Sequence, residues 1–190
     1  IKIVTLEQAP WIRMIYMKHL PNLTLVLGGA ASGKSSYAEM LCTQSGLNKT
    51  YLATAQVFDN EMAIKVAKHL DQRGDGWKTI EAPLDIASVL ETSLSTDVVL
   101  IDCATLWLTN VILGEHDLDM ETRFLVAALT SCKSPVVIVS NEVGQGIVPD
   151  NPLSRRFRNA QGQLNQIIAE QADTVTMIMA GIPLKLKGTV

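Results

Sequence analysis

The chain has 190 residues, of which 47% are hydrophobic and 18% charged, and its formal net charge is −3. That length suits one domain, and the weakly acidic balance offers no basic surface for nucleic acid, so small-molecule partners are expected and nucleic acid is not. No run approaches the roughly 18 uninterrupted apolar residues of a membrane span, and three widely spaced cysteines, Cys42, Cys103 and Cys132, argue against a disulfide framework and favour a cytoplasmic protein.

The first segment, residues 1–22, precedes the first clear strand and contains two methionines that could each be a natural start. Glu7 and Pro10 interrupt its apolar character, which is unlike a signal peptide. We interpret residues 1–22 as an N-terminal extension and residues 23–190 as a single domain.

Beyond residue 22, apolar runs typical of buried strands alternate with segments of helical periodicity. Strands are predicted at 23–27, 50–53, 97–101, 135–140 and 174–180. Helices are predicted at 33–45, 60–72, 84–94, 118–132 and 153–171. This alternation predicts a three-layer α/β fold with a mostly parallel central sheet.

Ligands of such folds bind where the strands end at their carboxyl edge. Four predicted strand ends carry small or polar residues: Gly28, Ala53–Gln56, Asp102 and Asn141–Glu142. We therefore expect the functional site at this edge of the sheet.

The loop after the first strand has the pattern of a phosphate-binding loop, G-x4-G-K-S. Its residues are Gly28, Gly29, Ala30, Ala31, Ser32, Gly33, Lys34 and Ser35. The glycines let backbone N–H groups converge on a β-phosphate, and the following helix adds its positive end. Lys34 is expected to contact the β- and γ-phosphates and the Ser35 hydroxyl to bind Mg²⁺. Since strand, spacing, Lys and Ser all agree, a turn that binds nothing is disfavoured.

Asp102 ends the buried run "VVLIDC" at 98–103. A lone carboxylate there is costly unless it meets a cation or hydrogen-bond donors. Sharing Mg²⁺ with Ser35 would meet that need, while the alternative role is an N-cap for the next helix. The two roles can coexist.

These features predict a nucleoside triphosphate site, which kinases, motor ATPases and switch proteins share. Six stretches, the first of which contains the phosphate loop, narrow the choice among these classes of protein. They are "GGAASGKSSYAE" (28–39), "YLATAQVFDNEMAIKVAKHLDQR" (51–73), Trp77 with "EAP" (81–83), "DCATLWLTN" (102–110), "SNEVGQGIVPDNPLSRRFRNAQGQLNQIIAEQAD" (140–173) and "AGIPLKLK" (180–187). Together they resemble the bifunctional adenosylcobinamide kinase/adenosylcobinamide-phosphate guanylyltransferase family of cobalamin biosynthesis. The resemblance runs from about residue 23 to residue 187.

This resemblance implies a phosphate-loop fold similar to that of the RecA-like recombinase ATPases, a homotrimer and two sequential reactions. The first would phosphorylate adenosylcobinamide from ATP or GTP. The second would transfer GMP from GTP to adenosylcobinamide phosphate and release pyrophosphate.

In the family a histidine carries the GMP, and the position that matches it is His69. A neutral imidazole is a competent nucleophile near pH 7, although a lone histidine on a helix is more often structural. Its neighbours Leu70, Asp71 and Gln72 would contribute to the nucleotide site.

The resemblance also assigns nucleotide contacts to Thr54, Ala55 and Gln56, and to Glu81, whose carboxylate could accept the N1 and N2 hydrogens of guanine. A solvated glutamate at a strand edge is the equal alternative for Glu81. Asn141 and Glu142 could orient the attacking hydroxyl or water.

One departure from the family concerns the loop, where Ala31 stands in place of an arginine found in many relatives. Two other functions stay open at this point. One is a guanylyltransferase without kinase activity, and the other is a nucleotide-dependent switch or assembly ATPase with no covalent carrier.

Overall fold

The computed structural model describes residues 20–56 and 74–188. Within them the strands are β1 (Leu23–Gly28), β2 (Asn48–Ala53), β3 (Trp77–Glu81), β4 (Asp97–Asp102), β5 (Val136–Asn141), β6 (Thr174–Met179) and β7 (Ile182–Lys187). The helices are α1 (Lys34–Gln44), α2 (Ile86–Glu91), α3 (Ala104–Leu113), α4 (Leu118–Ser131) and α5 (Pro152–Gln171). The predicted helix at 60–72 lies outside the described residues.

The strands form one sheet in the order β3-β2-β4-β5-β1-β6-β7. Every neighbouring pair is parallel except β6 and β7, which are antiparallel. The predicted mostly parallel sheet is therefore confirmed.

Alternate side chains of the central strands enter two separate cores. Leu25 and Leu27 of β1 pack in a core with residues of α2, α3, α4 and α5. Val26, between them, packs in a second core with Ala38 and Leu41 of α1. Successive strand residues point to opposite faces, so helices cover both sides of the sheet and the three-layer prediction is confirmed.

Three elements were not predicted, and each lacks the pattern that prediction depends on. β3 is an edge strand with mostly exposed residues, so it has no apolar run. α3 buries seven of its ten residues and therefore shows little amphipathic periodicity. β7 pairs through a tight turn at Ala180 and Gly181, both in the left-handed region, and its own residues are largely exposed.

None of the helices in the described part of the chain is long and apolar enough to cross a membrane. The helix predicted at 84–94 spans Ile86–Glu91. It begins at Ile86 because the Asp85 side chain caps it and accepts a hydrogen bond from the Ser88 N–H.

Asn110 fastens α3 to two loops at the carboxyl edge. It is only 6% exposed, and its Nδ2 donates to the Thr54 carbonyl at 2.8 Å and to the Pro83 carbonyl at 2.9 Å. Trp107, one turn earlier, donates from Nε1 to the Leu84 carbonyl at 3.0 Å. Residues of α3 thus hold the loops that follow β2 and β3.

We expect Asn110→Ala to lower the free energy of unfolding by about 2–4 kcal/mol, because two buried carbonyl groups would lose their donor. Urea unfolding measures this. Asn159→Ala, at an exposed position of α5, is the matched control and should change stability little. Equal effects of the two substitutions would show that Asn110 does not fasten these loops.

Candidate active site

The predicted strand ends meet at one edge of the sheet. Gly28 at the end of β1 pairs with Asn141 of β5. Ala53 at the end of β2 pairs with Asp102 of β4 on one side and with Glu81 of β3 on the other. Because β4 and β5 are also neighbours, the ends of five strands form a continuous row of small and polar residues.

The loop between β1 and α1 begins with a close backbone approach. Gly28 is buried, and a Cβ there would collide with Ser32 Oγ and lie 2.7 Å from the Ile178 carbonyl oxygen. The chain then turns, with the Ser32 N–H donating to the Gly29 carbonyl at 3.3 Å. Only glycine fits the first position of this loop.

The start of α1 is open to an anion. Its N-cap is Gly33 with a φ of 96°, and no side chain caps its first N–H groups. α3 likewise has no side-chain cap, whereas Asp85, Asp117 and Asn151 cap α2, α4 and α5 through their side chains. Uncapped N–H groups at a helix start favour phosphate binding.

The turn between β6 and β7 packs against the phosphate loop. The Gly181 N–H donates to the Ser32 carbonyl at 2.9 Å. A Cβ on Gly33 would lie 3.4 Å from Gly181 Cα, so the two backbones are in close contact. The stretch "AGIPLKLK" thus has a structural role that its sequence pattern did not reveal.

Lys34 is partly buried at the first position of α1, and its Nζ donates to the Gly29 carbonyl at 3.0 Å. Burial lowers the pKa of Lys34, while Cys103 and Asp102 oppose that shift. Burial also raises the pKa of the Cys103 thiol to about 12, so this thiol is uncharged at neutral pH. Asp102 therefore opposes the effect of burial on the pKa of Lys34.

Asp102 ends β4 beside this lysine. Its Oδ2 accepts a hydrogen bond from the Tyr51 hydroxyl at 3.1 Å. The N-cap of α3 is Cys103, so the alternative reading of Asp102 as the N-cap is wrong. Sequence analysis did not single out Tyr51, because its partner Asp102 lies 51 positions further along the chain and no local pattern links the two.

Thr54 is fully buried behind Asp102. Its Oγ1 lies 2.7 Å from the Cys103 N–H donor and donates to the Cys103 carbonyl at 2.8 Å. Its side chain therefore joins the end of β2 to the start of α3. Ala55 and Gln56 follow at partly exposed positions.

Asn141 is held through its backbone at the end of β5. Its N–H donates to Thr105 Oγ1 at 2.8 Å, and its carbonyl accepts from Asn165 Nδ2 at 3.0 Å. Its own Oδ1 is buried with no hydrogen-bond partner. Glu142 follows and donates its N–H to the Gly28 carbonyl at 3.1 Å, which ties β5 to the phosphate loop.

A cavity of about 490 Å³ lies at the ends of β2 and β3. Gln56 and Glu81 contribute to its wall, together with Ser88 and Thr92 from the region of α2. Glu81 is exposed at the end of its edge strand. His69, Leu70, Asp71 and Gln72 lie outside the described residues.

The Ser35 hydroxyl and the Asp102 carboxylate are hard oxygen donors of the kind that Mg²⁺ prefers. Among the described residues no group of three or more His, Cys, Asp or Glu side chains could enclose a metal. A site with few protein ligands suits Mg²⁺, which keeps waters and takes further oxygens from substrate phosphates. The residues present therefore fit a nucleotide-bound magnesium ion.

The fold is that of the P-loop NTPases. An archaeal flagellar accessory protein, FlaH from Methanocaldococcus jannaschii, matches with a TM-score of 0.53 at 17% identity, covering 98% of this chain and 87% of that one. An ATPase of a bacterial type III secretion system matches with a TM-score of 0.53 at 12% identity, covering 83% of this chain and 51% of that one. These likenesses establish the fold alone.

The sequence comparisons are more specific. Residues 24–186 match the family described as cobinamide kinase / cobinamide phosphate guanyltransferase. The bifunctional adenosylcobalamin biosynthesis protein CobP of Pseudomonas aeruginosa is 44% identical over 167 residues, which is 86% of this chain and 96% of that protein. CobU of Salmonella typhimurium, which carries the same description, is 38% identical over 87% of this chain and 99% of that protein. The chain belongs to the cobinamide kinase / cobinamide phosphate guanyltransferase family, as the resemblance predicted.

We expect Gly28→Ala to lower the free energy of unfolding by about 1–3 kcal/mol, because the loop backbone would have to move to admit a methyl group. Gly29→Ala is the matched control, since a Cβ at Gly29 meets nothing within 4 Å. Urea unfolding of the ligand-free protein compares the two. A Gly28→Ala variant as stable as Gly29→Ala would contradict the close approach described here.

Proposed function

We propose that this protein phosphorylates adenosylcobinamide with ATP or GTP and then transfers GMP from GTP to the product, giving adenosylcobinamide-GDP. The observation that carries the proposal is the family match over residues 24–186, within which the phosphate-loop motif is complete. The arrangement of Lys34 and Asp102 at the carboxyl edge supports a triphosphate site. We also propose that the protein is cytoplasmic and that it consists of an N-terminal extension (1–22) and one catalytic domain (23–190).

In the kinase step, the hydroxyl oxygen on the aminopropanol arm of adenosylcobinamide attacks the γ-phosphorus. The bond from that phosphorus to the nucleoside diphosphate breaks, and the hydroxyl proton is released to solvent. The loop N–H groups and Lys34 bind the β- and γ-phosphates and stabilise the charge that develops on the leaving oxygen. Ser35 and Asp102 would hold Mg²⁺, which when bound neutralises phosphate charge. Asn141, whose Oδ1 has no protein partner, and Glu142 orient the attacking hydroxyl.

In the transferase step, a His69 ring nitrogen attacks the α-phosphorus of GTP and pyrophosphate leaves. The phosphate oxygen of adenosylcobinamide phosphate then attacks the same phosphorus, the N–P bond breaks and the imidazole is released neutral. Glu81 accepts the N1 and N2 hydrogens of guanine, a pattern that adenine lacks. The cavity beside Gln56 and Glu81 supports this base site. Thr54, Ala55, Leu70, Asp71 and Gln72 are proposed to border the bound nucleotide.

A homotrimer is proposed as the assembled form. Light scattering of the purified protein at micromolar concentration should give three times the mass of one chain. A mass of one chain under these conditions would contradict the proposed trimer.

Lys34→Ala is expected to reduce the kinase kcat by at least about 10³-fold, comparable to losing a main charge on the transferring phosphoryl group. Triphosphate binding should also weaken. Lys133→Ala, at an exposed position before β5, is the control of equal charge change and should keep wild-type kinetics. Unchanged affinity and rate in Lys34→Ala would rule out the phosphate-loop interpretation.

His69→Ala is expected to separate the two activities, because direct phosphoryl transfer needs no protein nucleophile whereas guanylylation does. With GTP alone, the wild-type protein should gain the mass of GMP in an acid-labile, base-stable adduct. His69→Ala should form no adduct yet retain ATP-dependent phosphorylation.

His116→Ala is the control for this experiment. His116 lies 3.8 Å from Glu121 and is partly exposed, so its loss should leave the adduct intact. An adduct that persists in His69→Ala would move the nucleophile elsewhere. A wild-type protein that binds GTP without forming an adduct would instead favour a nucleotide-dependent switch, and an adduct without phosphorylation would favour a guanylyltransferase alone.

A further inference from the structure

Tyr51 holds a fixed position beneath the proposed metal-binding carboxylate. It lies on β2, is 5% exposed, and its strand runs between β3 and β4. Its ring meets Trp77 of β3 edge to face, with centroids 6.2 Å apart and planes at 85°. Such a contact and this burial leave the phenol little freedom to turn.

The hydroxyl of this fixed ring donates to Asp102 Oδ2 at 3.1 Å. A hydrogen bond to an ionised carboxylate is stronger than one between neutral groups. It fixes the plane of the carboxylate through one oxygen, and the other oxygen stays available to a ligand. Tyr51 therefore controls the orientation in which Asp102 reaches the site.

Lys34 is the positively charged neighbour of this carboxylate. Asp102 helps to raise the pKa of Lys34 against the effect of burial. The two side chains have separate hydrogen-bond partners: Lys34 Nζ donates to the Gly29 carbonyl at 3.0 Å, and Asp102 Oδ2 accepts from the Tyr51 hydroxyl.

We propose that Tyr51 is a positioning residue that orients Asp102 for the magnesium–nucleotide complex. The inference rests on the proposed function, since it needs a nucleotide-bound metal at this edge. Tyr51 would act through Asp102, to which its hydroxyl donates. Its effect should appear in the metal dependence of nucleotide binding, where a packing role would not appear.

Tyr51→Phe tests this inference, because it removes one oxygen and keeps the ring. Tyr37→Phe is the matched control: Tyr37 is on α1, is partly buried and has its hydroxyl bonded to Thr176. The probe is the α,β-methylene analogue of GTP, which cannot release GMP. Its dissociation constant is measured in EDTA and over a series of Mg²⁺ concentrations, and the free energy of unfolding is measured for each variant.

For Tyr51→Phe we expect the Mg²⁺ concentration at half-maximal binding to rise about 10-fold, the size of effect seen when a partner of a metal ligand is removed. Saturating Mg²⁺ should restore wild-type affinity, and Tyr37→Phe should match the wild type throughout. A Tyr51→Phe variant with the metal dependence of Tyr37→Phe would overturn the inference. So would a loss of affinity that is the same in EDTA and in saturating Mg²⁺, which would mark a packing role.

The wild-type protein separates this inference from the proposed function. If it binds the analogue no better with Mg²⁺ than in EDTA, the magnesium–nucleotide site itself is overturned. If its binding is metal-dependent and Tyr51→Phe is unchanged, only the role of Tyr51 falls.

Discussion

The parallel pairing of β2, β4, β5 and β1 is the constraint on which the site depends. Because these strands are neighbours and run the same way, their last residues lie in one row, with Ala53 opposite Asp102 and Gly28 opposite Asn141. Short hydrogen bonds then tie adjacent strand ends together, from Thr54 to Cys103 and from Glu142 to Gly28. Backbone pairing thus places the loop, the lysine and the carboxylate at one edge, and the buried side chains of Thr54 and Tyr51 add hydrogen bonds that hold them there.

Charge at this edge follows from the same arrangement. Burial lowers the pKa of Lys34, and Asp102 opposes this effect of burial. Burial keeps the nearby Cys103 thiol neutral by raising its pKa to about 12. One cation and one anion therefore share a partly desolvated site, where each interacts strongly with phosphate or metal. The Tyr51 hydroxyl binds one oxygen of the Asp102 carboxylate in this site.

Features with a local pattern could be predicted from the sequence. The phosphate loop and Lys34 followed from a glycine motif between a buried strand and a helix. The parallel sheet followed from the alternation of apolar runs with helical segments, and Asp102 from the end of the buried run at 98–103. α3 was missed because "ATLWLTNVIL" is buried nearly all round, and β3 because an exposed edge strand has no apolar run. The Tyr51–Asp102 contact joins residues 51 positions apart, so no local pattern could show it, and the role of His69 depends on family resemblance.

The most direct measurement of the central claim is a crystal structure with Mg²⁺ and ADP, which no step of the reaction consumes. The β-phosphate should lie among the N–H groups of residues 29–35. Lys34 should turn away from the Gly29 carbonyl and contact the phosphate. Mg²⁺ should lie between Ser35 and Asp102.

Another cavity, of about 530 Å³, lies between α4 and α5 and is lined by Arg123 and Gln163 among others. Nucleotide bound there, with the loop empty, would contradict the account.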